Sequence, residues 1–79
     1  SNENSQSSAS SASRRYADDV QIKEWWAVEK DGFVLKWSPR ELWLRCGDKT
    51  TVICEWPTYG DVRNAIRGLG WQLPPHWSA

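Results

Sequence analysis

The pattern of apolar and polar positions divides the chain into a polar lead-in, a β-rich middle and one amphipathic helix. Residues 1–13, SNENSQSSASSAS, hold no large apolar side chain. From Val20 onward β-branched and aromatic residues crowd together as Val20, Ile22, Trp25, Trp26 and Val28, types that suit a pleated, half-buried surface. Strand alternation places Val20, Ile22, Trp26 and Val28 on one face, with Glu24 the exception. A helix over 18–31, capped by Asp18 or Asp19 and ended by Gly32, is the alternative. Asp31-Gly32 between two apolar runs is a strong hairpin signal. A second strand then runs from Phe33 to Trp37, with Phe33, Leu35 and Trp37 sharing a face.

Ser38-Pro39-Arg40 reads as a turn, because proline presets the backbone angle its second position needs. A third strand over Glu41–Cys46 directs Leu42, Leu44 and Cys46 inward and Glu41, Trp43 and Arg45 outward. After a tight turn at Gly47-Asp48-Lys49, a fourth strand covers about Thr50 to Trp56. It sets Val52, Cys54 and Trp56 on one face and Thr51, Ile53 and Glu55 on the other. Pro57 ends it, since proline cannot donate to a central ladder. Thr58 then offers a helix N-cap, with Asp61 three residues on in a variant of the capping box. Val62, Ala65, Ile66 and Leu69 recur at helical spacing on one face, with Asp61, Arg63, Asn64 and Arg67 on the other. Gly68 or Gly70 supplies the C-terminal cap. Trp71 and Leu73 fold back on the core.

These elements predict an α+β domain: an antiparallel β-meander of three or four strands, with one C-terminal helix packed on one face, preceded by a disordered Ser-rich tail. The expected boundaries are 1–15 for the tail, 16–73 for the domain and 74–79 for a flexible C-terminal end. A tail without large apolar groups cannot bury enough surface to offset the entropy of ordering it. The folding unit is close to the lower size limit for a domain without staples. The 7 tryptophans in 79 residues offset that shortage, since an indole buries up to about 250 Å². By phase, Trp26, Trp37 and Trp56 belong to the core, Trp71 closes it, Trp77 is free, and Trp25 and Trp43 face outward.

Charge narrows the function classes. Lys and Arg total 10 against 10 for Asp and Glu, so the basic excess usual for a binder of nucleic-acid backbone is absent overall. No apolar run approaches the roughly 18 residues that span a bilayer, and no signal-peptide segment is visible. The expectation is a cytoplasmic protein that does not engage a membrane. Cys46 and Cys54 with a single distant His76 do not supply four zinc ligands. They read as reduced, buried core thiols whose diagonal offset exceeds disulfide reach. Nothing forces carboxylates, or a Cys–His pair, into a pocket. No cofactor is implied, and the chain reads as non-catalytic.

The remaining signal lies on the outer sheet face. The run Lys36-Trp37-Ser38-Pro39-Arg40-Glu41-Leu42-Trp43-Leu44-Arg45 interleaves aromatic with basic residues. Trp and Arg are enriched at protein-interface hot spots, and aromatics with Arg or Lys also suit base stacking along a single strand. The candidate binding residues are Trp25, Lys36, Arg40, Trp43 and Arg45, with Arg63 and Arg67 as a second patch on the helix. The same pattern also suits a face covered by another layer of the chain. The first functional reading is a protein-interaction module with another protein as partner. The alternative is a domain that binds DNA or single-stranded nucleic acid through the same face plus the helix. The oligomeric state is not legible.

Overall fold

The computed structural model describes residues 14–78, so the expected disordered tail lies almost wholly outside the described residues. Four antiparallel strands form a meander in the order β1-β2-β3-β4: β1 Trp26–Lys30, β2 Phe33–Trp37, β3 Glu41–Cys46 and β4 Lys49–Glu55. One helix, α1, follows over Tyr59–Leu69. Asp31 and Gly32 both take positive φ, 55° and 84°, as a tight type I′ hairpin requires. Between β2 and β3, Ser38 N–H donates to Glu41 O at 2.9 Å. Ser38 Oγ accepts from the N–H of Arg40 and Glu41 at 3.2 and 3.3 Å, which fixes Arg40 at the turn.

The register separates the two faces of the sheet. Val28 pairs with Leu35, Leu35 with Leu44, and Trp37 with both Trp26 and Leu42. These residues line the inner face, where Leu35, Trp37 and Leu42 join Val62, Ile66, Tyr59, Ile22 and Trp77 in one buried cluster. α1 covers this face because Val62 and Ile66 lie one turn apart and Ala65 and Leu69 pack beside them. Thr58 and Asp61 form the reciprocal capping box, and Gly70 closes the helix at φ 75°.

The approach to β1 differs from expectation. Residues 18–25 form neither a full strand nor a helix; regular pairing begins only at Trp26. The competing demand comes from α1, whose first four N–H groups lack intrahelical acceptors. All four are satisfied here. Thr58 N–H donates to Asp61 Oδ2 at 2.9 Å, and Asp61 N–H to Thr58 Oγ1 at 3.2 Å. Tyr59 N–H reaches Val20 O at 2.9 Å, and Gly60 N–H reaches Asp18 O at 3.2 Å. The segment that reads as strand is thus drawn to the helix N-terminus, with a single bridge from Gln21 to Thr58. Gly60 is needed for this approach, since a Cβ there would lie 2.8 Å from Asp18 O and 2.9 Å from Asp18 Cβ.

The C-terminal segment is also docked. Pro75–Ser78 forms a 3-10 turn, and Trp77, expected to be free, is only 7% exposed. Its indole N–H donates to Glu24 Oε2 at 3.1 Å, and that oxygen also accepts from Trp37 Nε1 at 2.9 Å. His76 Nε2 lies 3.1 and 3.2 Å from the two oxygens of the same carboxylate. Glu24, the residue that interrupts the apolar alternation, is therefore the acceptor that lets two indoles be buried.

Both cysteines are free thiols. Cys46 faces Lys49 and Cys54 faces Leu42 at opposite ends of the β3–β4 pair. The expectation of two buried thiols fails for Cys46, which is exposed in the last position before the turn, and Cys54 is half-buried. Burial pushes the Cys54 thiol up from its ordinary range, and the neighbouring Asp61 carboxylate, which accepts its S–H, pushes it further.

Candidate binding face

The outer face of the sheet is built by the positions that alternate with the core. Ala27, Lys36, Trp43 and Val52 lie side by side across the four strands. Trp25, just ahead of β1, stands beside this row. Lys36 Nζ lies 5.8 Å from the centre of the Trp25 ring and 5.3 Å from that of Trp43, so one ammonium is held between two indoles. Trp25, Lys36, Ser38, Arg40, Glu41 and Trp43 line an open groove of about 340 Å³. Trp25 is 67% exposed, while Trp43 is half-buried in its wall.

Two local irregularities enlarge the patch. A bulge interrupts the β3–β4 register: Leu42 pairs with Cys54 but Trp43 pairs with Val52, leaving Ile53 as the extra residue. The shift turns Val52, expected beside Cys54 on the inner face, toward Trp43, and both Val52 and Ile53 stand about half exposed. At the end of β4, Trp56 adopts φ 52°. That left-handed conformation costs a non-glycine residue roughly 1–2 kcal/mol. It breaks the alternation, so Trp56 is 58% exposed where a core position was expected. Its N–H donates to Arg40 O at 2.8 Å, and the Arg40 guanidinium lies 5.8 Å from its ring. Trp56 is the site residue that strict alternation misses. Its one sequence signal is its place directly before Pro57, where strand geometry must end.

Trp26 is a further correction. It does lie on the inner face opposite Trp37, but at the sheet edge, where it is 42% exposed and its ring sits 4.4 Å from the His76 ring.

The candidate residues therefore divide. Trp25, Lys36, Arg40 and Trp43 meet in the groove. Arg45 shares their face but pairs with Val34 and Thr50 toward the far hairpin. Arg63 and Arg67 sit on α1, across the sheet. Arg63 is engaged in holding the fold: it pairs with Asp18, donates to Tyr16 O at 2.7 Å and lies 5.3 Å from the Trp77 ring. Arg67 is exposed in the last turn of the helix.

The charge of the outer face is more even than the sequence run suggests. Glu41 pairs with Glu55, and Glu29 with Val34, which places three carboxylates among Lys36, Arg40 and Arg45. Among the described residues, no three His, Cys, Asp or Glu side chains gather to hold a metal ion, and no helix is long and apolar enough to cross a membrane. Neither a known family model, nor a curated protein, nor a solved structure matches the chain. What stands is a small α+β domain with an exposed aromatic and basic surface suited to binding.

Proposed function

We propose that this chain is a non-catalytic protein-interaction module whose outer sheet face receives a segment of another protein. The observation that carries the reading is the exposure of Trp25 beside a groove whose wall holds Trp43, with the exposed Trp56 ring next to Arg40 of the same lining. The opposite face of the same sheet is covered by α1 and the C-terminal turn. Exposed aromatic groups rimmed by polar residues are a feature of interaction sites, and tryptophan and arginine supply much of the energy at protein interfaces. The Trp56 backbone supports the same reading, because residues held in sparsely populated conformations concentrate at functional positions.

A nucleic-acid partner is the second reading, favoured by the alternation of Trp43 and Trp56 with Lys36, Arg40 and Arg45. The carboxylates of Glu29, Glu41 and Glu55 on the same face weigh against a long polyanion. Panning a random peptide library on the wild-type protein and on Trp25→Ala tests the first reading. The expected result is a set of peptides retained by the wild type and lost on the variant. The reading fails if no enriched peptide depends on Trp25. Steeply salt-sensitive retention of an oligothymidylate, lost on Trp25→Ala, establishes the second reading in its place.

A further inference from the structure

We infer that the occupant of the Trp25–Trp43 groove is a short acidic peptide segment, its carboxylates paired with Lys36 and Arg40 and its apolar side chains laid against the indoles. This rests on the protein-interaction reading above and names the partner's chemistry.

The first argument is charge complementarity within the groove. Its lining carries two cations, Lys36 and Arg40, against one carboxylate, Glu41. The carboxylates that balance the wider face, Glu29 and Glu55, are outside that lining. A short segment confined to the groove meets a net positive wall, whereas a long polyanion crosses the balanced sheet and meets repulsion. The groove's 340 Å³ is at the small end of ligand sites and suits a few side chains.

The second argument is the state of the two cations. Among the described residues neither Lys36 nor Arg40 has a carboxylate within ion-pair distance, whereas Arg63 is paired with Asp18. Instead each lies over tryptophan rings at 5.3–5.8 Å. A cation over an exposed indole is held weakly, and a charge-assisted hydrogen bond to a carboxylate is the stronger interaction. An arriving carboxylate therefore draws the ammonium off the indoles. That same movement uncovers the facing sides of Trp25 and Trp43 for the partner's apolar groups. The Ser38 Oγ bonds that pin the turn keep the Arg40 backbone in place meanwhile.

The test uses a random dodecapeptide library panned on the wild-type chain. The strongest binder is then measured by fluorescence polarisation against wild type, Trp25→Ala and the double variant Lys36→Ala/Arg40→Ala. An analogue with its Asp and Glu changed to Asn and Gln is measured alongside. The altered side chains lie at the surface or in the groove wall, and circular dichroism checks that each variant folds. The expected result is an excess of Asp and Glu among enriched peptides, with roughly tenfold or greater weakening from neutralising the peptide or from removing the two cations. Peptides that need Trp25, show no acidic excess and ignore Lys36→Ala/Arg40→Ala overturn the acidic assignment while leaving the interaction module standing. Absence of any Trp25-dependent peptide overturns both, as does selective capture of an oligothymidylate by the same face.

Discussion

The two faces of one sheet use the same residue type in opposite ways. On the inner face Trp37 is fully buried in one cluster with Leu35, Leu42, Val62 and Ile66, and its indole N–H is answered by Glu24. Trp25, beside the outer face, and Trp56, past the end of β4, are mostly exposed, and their neighbours are cations. β2 serves both faces within two positions, Lys36 outward and Trp37 inward. The difference lies in what each indole is given. A buried indole needs a hydrogen-bond acceptor and close packing, and the inner face supplies both. An exposed indole needs neither for the fold to stand, so its presence calls for another cause.

The comparison breaks most readily at its strongest point. Trp37→Ala removes the largest fully buried side chain and is expected to cost about 3–5 kcal/mol, enough to unfold much of so small a domain. Trp25→Ala, at a surface position, is expected to stay within about 0.5 kcal/mol of wild type. Urea unfolding of the two variants checks the pair. Similar losses from both would mean that the outer face is also core.

Glu24 comes next. Glu24→Ala leaves the indole N–H groups of Trp37 and Trp77 without their acceptor and His76 without its carboxylate. The expected cost is about 1–3 kcal/mol per stranded buried donor. Glu24→Gln, which keeps an acceptor oxygen, should recover part of it. The C-terminal turn is the part expected to loosen first, read by faster hydrogen exchange near Trp77. Unchanged exchange there would show that packing alone holds the turn.

Much of the inner face was legible in the sequence, because it obeys a single rule of alternation. β2, β3 and the Asp31-Gly32 hairpin follow from period and turn chemistry. The helix, its capping box and its buried stripe follow from spacing. What escaped reading depends on departures from period. The β3–β4 bulge shifts Val52 by one residue, the positive φ of Trp56 turns a core position outward, and the helix N-terminus claims backbone that strand propensity assigns to the sheet. Trp77 escaped because its burial depends on Glu24, 53 residues away. The groove was half legible. Trp25, Lys36, Arg40 and Trp43 stand in it as a set, whereas Trp56 lies outside the lining and meets it only at the Arg40 guanidinium.

The helix cap gives a pH-dependent test of the inner side. The Thr58 N–H holds the Asp61 carboxyl below its ordinary range of 3.8, against partial opposition from burial, with the Thr58 and Cys54 side chains adding to the lowering. A carboxylate with a depressed folded value stabilises the fold above its unfolded value and loses that contribution as pH falls through the folded one. This contribution should therefore be complete above the unfolded value, near pH ~4, and be lost progressively as pH falls through the lowered folded value. Asp61→Asn should lower stability near neutral pH and flatten this acid limb. A variant whose acid limb matches wild type would place the titration elsewhere.

A near-neutral substitution at Trp56 separates stability from binding most sharply. Trp56 sits at φ 52°, where glycine is unstrained and tryptophan is not. Trp56→Gly relieves roughly 1–2 kcal/mol of backbone strain. It forfeits the contacts of a ring more than half exposed and adds freedom to the unfolded chain worth up to about 1 kcal/mol. The terms nearly cancel, so the variant should unfold within about 1 kcal/mol of wild type. Its N–H can still reach Arg40 O, because the backbone conformation is retained. Binding of groove-selected peptides should weaken nonetheless, since Arg40 loses the ring it rests on. If the indole were there for the fold, the substitution would cost about 2 kcal/mol or more and binding would fall only with folded protein. Unchanged stability with weakened binding would mean that the strained backbone at Trp56 serves the outer face alone.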